Sequence, residues 1–176
     1  MAYSNKTIEG LLERFRPSIE KDFDRYKNHI YRVFLNCILL DSNKAHEEKY
    51  AIAAVFHDIG IWTDHTIDYL EPSIAQAKIY LQNSRRQNWI EEISLMIYWH
   101  HKISPYHGKH EQTVECFRKA DWIDVSLGLL NFGLSNEKIR QNKKQFPNLG
   151  FHTFLVKETT KNFLKHPLNP LPMFVK

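Results

Sequence analysis

The sequence predicts an all-α domain, and three observations carry that prediction. Apolar residues recur three or four apart, as in Ile30, Phe34 and Ile38 and again in Ile93, Met96 and Ile97, which is the period of one helix face. No run of alternating apolar and polar residues reads as a strand. Capping and breaking residues fall between the periodic stretches, among them Asp22, Asp41-Ser42-Asn43, Gly60 and Pro72.

In chain order, Ser18 or Asp22 can cap a first long helix that runs past His29 and Arg32 to about Leu40, where Asp41-Ser42-Asn43 breaks it. A second helix is expected over about 44–58, packed through Tyr50, Ala51, Ala54 and Val55 and ended by Gly60. Pro72 suits the first turn of a third helix reaching about Ser84, and 89–101 reads as a fourth. After a loop at 102–110 with Pro105 and Gly108, a fifth is expected over 111 to about 130. Val114, Phe117, Ile123 and Leu127 form its apolar side and Asp121 interrupts it. Shorter helices at 136–145 and 153–164 precede a proline-rich tail, 167–172, of polyproline or irregular character. No repeat or linker divides the 176 residues, so one domain is expected, with a core at about 25–130 and C-terminal helices and tail at 131–176.

At 43% apolar and 25% charged residues, composition is that of a folded globular protein rather than a disordered one. Cys37 and Cys116 lie far apart with no C-x-x-C spacing, which argues against a thiolate zinc site and a disulfide framework and for a cytoplasmic protein. The start, MAYSNKTIEG, lacks a signal-type apolar core, and no stretch approaches the roughly 18 apolar residues of a membrane span, so neither secretion nor a membrane partner is expected. A net charge of +4 favours anionic ligands, but the Lys and Arg residues are scattered, so a nucleic-acid partner is not expected. Of the ten histidines, His46, His152 and His166 sit in polar surroundings and read as surface residues.

Three segments carry chemistry: HIYRV at 29–33, AAVFHDIG at 53–60 and KADWID at 119–124. Each sets an ionisable side chain in an apolar helical stretch, which is costly unless the group is paired or bound to an ion. A metal ion shared by His29, His57, Asp58 and Asp121 accounts for all three, as ligands projecting inward from facing helices. Taken singly, a residue like His29 is more often a hydrogen-bonded helix residue than a ligand, and Asp121 reads instead as an ion-pair partner of Arg32 or Lys119. Two imidazoles and two carboxylates without sulfur suit one divalent ion of Mn, Fe, Co, Ni, Zn or Mg. Arg32, one turn after His29, is suited to bind phosphate or to hold a carboxylate ligand such as Asp58. Lys102, His65 and His107 flank these segments and are candidate phosphate contacts, and Asp64, Asp68 and Glu71 are candidates for a proton shuttle.

The three segments, in this order, resemble the H…HD…D signature of the HD-domain superfamily of metal-dependent phosphohydrolases. His29 with Arg32-Val33 resembles its first motif, AAVFHDIG its second, and ADWID its last, with Asp121 as ligand. The resemblance implies a compact helical bundle and hydrolysis of a phosphate ester, from a nucleotide or another small phosphorylated metabolite, by a metal-activated water. Asp58, His101 and Arg32 are then the expected catalytic group. Two-metal branches of the superfamily add a histidine after the HD pair and an I-x-x-H-H element. Ile97-Tyr98-Trp99-His100-His101 matches the second, but Tyr69-Leu70-Glu71-Pro72-Ser73 stands where the first would be, so a full second site is not expected. His100 and His101 are instead expected to contact metal-bound water or phosphate; the other reading makes them helix C-terminal residues facing the helix dipole. Lys102-Ile103-Ser104-Pro105-Tyr106-His107-Gly108 does not match the element that follows His-His in cyclic-dinucleotide phosphodiesterases. Two other readings stay open, an iron-dependent oxygenase and a non-catalytic metal- or ligand-binding module, and the oligomeric state, homo-oligomer included, stays open as well.

Overall fold

Asn5 opens the first helix by accepting hydrogen bonds from the backbone of Thr7 and Ile8 at 3.0 and 3.1 Å. Helix α1 (Lys6–Ile19) buries Ile8, Leu11, Leu12 and Ile19 on one face. Its pattern contains Gly10 and Pro17, both poor helix formers, and packing of the apolar face overrides them. A computed structural model describes residues 3–165, so the expectations for His166 and the tail at 167–172 lie outside the described residues.

A 3₁₀ turn, Glu20–Asp22, leads into α2 (Phe23–Leu40), and a second, Lys44–His46, into α3 (Glu47–Phe56). Short α4 (Gly60–Thr63) is followed by α5 (Leu70–Asn83), α6 (Ile90–Trp99), α7 (Glu111–Val125), α8 (Asn136–Gln145) and α9 (Phe151–Lys165). Among the described residues the fold is all-α, with no strand and no helix long and apolar enough to cross a membrane.

Helix α3 explains the layout. From Tyr50 to Phe56 every residue is buried, and a helix that is apolar all round has to be enclosed by others. Helices α1, α2, α5 and α6 surround it, and the most extensive packing in the molecule, α2 against α7, closes the bundle beside it. The C-terminal end of α3 therefore opens into the interior, which is why His57 and Asp58 are buried there.

Gly60 opens α4 instead of ending a helix over 44–58, because its role is steric. A Cβ on Gly60 would lie 2.7 Å from the Tyr69 carbonyl oxygen and 2.9 Å from Pro72 Cβ. The Gly60 amide donates to Ser73 Oγ at 3.0 Å, so the start of α5 is drawn against the turn after α3. Helix α7 stops at Val125, short of the expected 130; Leu127 has left-handed backbone and is 55% exposed, so it is not part of the apolar face. Ile123, Leu134 and Ile139 form a small separate cluster that fixes α8.

Candidate metal centre

Three helices and the turn after α3 deliver ionisable groups to one buried point. From α2 comes His29, from the turn His57 and Asp58, from α7 Asp121, and from the end of α6 His100 and His101. The Nε2 atoms of His29 and His57 are 2.9 Å apart. Asp58 Oδ2 lies 3.6 Å from His29 Nε2 and 3.3 Å from His57 Nε2, and Asp121 Oδ1 lies 3.6 and 3.8 Å from the same two atoms. The structure thus brings together all four expected metal ligands.

The tautomers follow from the partners behind the rings. His29 Nδ1 donates to Asp124 Oδ2 at 2.7 Å, His57 Nδ1 to the Ala54 carbonyl at 2.8 Å, and His100 Nδ1 to the Ile97 carbonyl at 2.6 Å. Each neutral ring therefore turns an Nε2 lone pair inward, and those of His29 and His57 face each other with no hydrogen between them. Such an arrangement requires a proton or a metal cation. Asp58 Oδ1, His100 Nε2 and both carboxylate oxygens of Asp121 are buried and accept no hydrogen bond. Asp58 and Asp121 leave the neutral cluster with two negative charges, since Arg32 balances Asp124; a divalent ion neutralises it. His29, His57 and Asp58 offer donor atoms that lie within 4.8 Å of one another. The donor set fits a metal ion.

Charge shifts describe the same demand. Burial alone would lower the pKa of His29, but its hydrogen bonds to Asp124 and Asp58 and the Asp121 charge raise it to about 9. Burial would raise Asp58, yet the neighbouring imidazoles hold it well below the usual carboxylate range. Asp121 moves up, because burial outweighs the imidazoles around it.

A second donor group adjoins the first and shares Asp58: Asp58, His100 and His101 also bring donor atoms within 4.8 Å of one another. His100 Nε2 is 3.4 Å from Asp58 Oδ1, and His101 Nδ1 is 3.5 Å from Asp121 Oδ2. Tyr69, from the stretch after the HD pair, hydrogen-bonds through its hydroxyl with His101 Nε2. The close approach permitted by Gly60 delivers it there. His100 and His101 therefore face the cluster, beyond any interaction with a helix end.

Arg32 does not reach Asp58. Its Nε and Nη2 bind Asp124 at 2.5 and 2.9 Å, and its Nη1 donates to the Phe146 carbonyl at 2.9 Å, so it supports His29 through Asp124. Asp124 is the functional residue that sequence reasoning missed. Its signal was present: His29 and Arg32 are one turn apart on α2, as Asp121 and Asp124 are on α7. His152 is tied to the Asp124 carbonyl at 3.0 Å and His46 to Asp41 at 2.7 Å, so neither is a bare surface residue.

The remaining candidates lie away from this point. His107 is exposed and pairs with Glu111 at 2.8 Å. Lys102 rests over the Tyr98 ring at 5.0 Å, and His65 lines a groove beside α9. Asp64 and Glu71 are exposed, and Asp68 is half-buried. Cys37 and Cys116 are free thiols, both buried. No family model, curated protein or solved structure matches the chain.

Proposed function

We propose that the chain is a metal-dependent phosphohydrolase of the HD-domain type, cleaving a small phosphate ester. The observation that carries this reading is the buried meeting of His29, His57, Asp58 and Asp121, in the order H…HD…D, with lone pairs that lack hydrogen partners. These four residues would hold the ion. When bound, a divalent ion lowers the pKa of a water molecule toward neutrality and offers positive charge to a phosphoryl oxygen.

The chain's own groups do the rest. Asp124 and Arg32 hold the His29 ring in one tautomer, and the Ala54 carbonyl does the same for His57. With both rings fixed, little reorganisation accompanies the reaction. His101 is 13% exposed where His29 and His57 are fully buried, which suits it to meeting an incoming ester. The Tyr69 hydroxyl pairs with its Nε2, and its Nδ1 lies 3.5 Å from Asp121 Oδ2.

A second reading draws on the donor group that shares Asp58. Two adjoining ions would suit either a two-metal hydrolase or a two-iron oxygenase. One screen separates them: metal-stripped protein, reloaded with each divalent ion in turn, is assayed against nucleoside monophosphates, dNTPs, cyclic nucleotides and simple phosphate esters. Phosphate release with at least one metal supports hydrolysis. Two irons per chain with an optical charge-transfer band and no phosphate release would replace it with oxygenation.

A further inference from the structure

Both carboxylates of the metal centre divide their oxygens between its two sides. Asp58 turns Oδ2 toward His29 and His57 and Oδ1 toward His100; Asp121 turns Oδ1 toward His29 and His57 and Oδ2 toward His101. On the second side, His100 Nε2 and Asp58 Oδ1 face each other at 3.4 Å, both buried and neither with a hydrogen-bond partner. His100 Nδ1 donates to the Ile97 carbonyl, so its Nε2 carries a lone pair, and two acceptors set face to face call for a proton or a metal cation. Donors each about 2.1 Å from one ion lie roughly 3.0 to 3.4 Å apart, and this pair has that spacing.

Tyr69 brings an oxygen to the same side. Its side chain is buried at the start of α5, which Gly60 allows to approach, and its hydroxyl pairs with His101 Nε2. The Asp58 carboxylate faces the same hydroxyl. Tyr26, the other tyrosine beside the centre, stacks on His29 and gives its hydroxyl hydrogen to the Val55 carbonyl at 2.8 Å, so its oxygen is turned elsewhere. We propose that Tyr69 is a metal ligand, its phenolic oxygen joining Asp58, His100 and His101 in holding a second first-row transition-metal ion.

Charge favours the phenolate. With one divalent ion, Asp58 and Asp121 leave the centre neutral. A second divalent ion adds two positive charges to a buried place; a phenolate cancels one of them, and a neutral hydroxyl cancels none. Coordination breaks the Tyr69 O–H bond as the oxygen–metal bond forms, and the proton passes to solvent. Two imidazoles, a carboxylate and a phenolate make an all-N/O set of the kind iron accepts. Tyr69 ligation rests on the metal centre proposed above and not on the reaction it supports.

Iron reads this ligand directly, because a phenolate bound to ferric ion gives a charge-transfer band in the visible that imidazole and carboxylate ligands do not. Metal-stripped protein is loaded with ferrous ion without air, its iron content is measured, and ferricyanide then takes one electron from each iron before being removed by gel filtration. Two irons per chain and a visible band are expected for the wild type, with tyrosinate ring vibrations in resonance Raman spectra excited within the band. Tyr69→Phe keeps the ring and its packing; it should lose the band and bind the second ion at least about tenfold more weakly, since even an outer-shell partner is worth that much. Tyr26→Phe should keep both. Fewer than two irons per chain, two irons without the band, or an equal band in Tyr69→Phe overturns the proposal. Phosphate release by protein holding a single ion would leave the proposed hydrolysis standing while Tyr69 ligation falls.

Discussion

On one side of Asp58, His29 is held by three successive partners, Asp124, Arg32 and the Phe146 carbonyl, all buried; on the other, His100 rests on one backbone carbonyl and His101 on the Tyr69 hydroxyl. The first side therefore carries its ring orientation in charged, desolvated contacts that resist rearrangement, whereas His100 on the second is oriented by a neutral backbone carbonyl. The lesson is a division of labour around one shared carboxylate. On the proposed function, the braced side would retain the metal, and the looser side, where His101 is 13% exposed, would meet the substrate.

Asp58→Ala is expected to have the largest effect, because it removes the carboxylate common to both sides. Metal analysis and phosphate-release assays should find neither retained metal nor hydrolysis, in a protein whose circular dichroism still shows a helical fold. A variant that keeps wild-type metal content would end the idea that the two groups share Asp58.

His101→Ala tests the looser side alone. It should keep the ion held by His29, His57, Asp58 and Asp121, while turnover falls about 10²-fold, as for a lost acid-base or electrostatic group. Unchanged turnover would make that side structural. Asp124→Asn tests the braced side, where the loss should fall on metal affinity instead, by about 10- to 100-fold in equilibrium dialysis. If Asp124→Asn and His101→Ala give the same balance of affinity and turnover loss, the two sides do not differ in the way their packing implies.

The effect of pH is graded rather than all-or-none. In the metal-free protein the pKa of His29 is raised from 6.5 to about 9, so its contribution to stability is fully present below pH 6.5 and is lost as the pH rises through 9. Metal must displace that proton, so over the same window metal affinity should rise about tenfold per pH unit while the Tm of the metal-free protein falls. Asp124, held well below the usual carboxylate range despite its burial by His29 and Arg32, adds stability above its unfolded pKa that disappears only in strong acid. Affinity and Tm moving in the same direction between pH 6.5 and 9 would remove His29 from the ligand set.

Much of the fold and the centre of the site could be read from the residues, for physical reasons. Helical periodicity is a local property, and His29, His57, Asp58 and Asp121 stand out because each breaks an apolar helical stretch. The parts that escaped depend on contacts between distant segments. Helix α1 holds despite Gly10 and Pro17 because its apolar face is buried against α3. Asp124 looks like an ordinary polar residue until α2 packs on α7 and sets it beside His29 and Arg32. Tyr69 reaches His101 only because Gly60 lets the start of α5 approach, and a glycine read as a helix stop conceals that role.

The central claim is that the buried histidines and aspartates form a divalent-metal site, and equilibrium dialysis of metal-stripped protein against Mn²⁺ or Zn²⁺ at neutral pH tests it most directly. At least one ion bound per chain, with a matching release of protons and loss of that binding in Asp58→Ala, is the predicted result. A folded wild-type protein that binds none of the ions suited to this ligand set would contradict it.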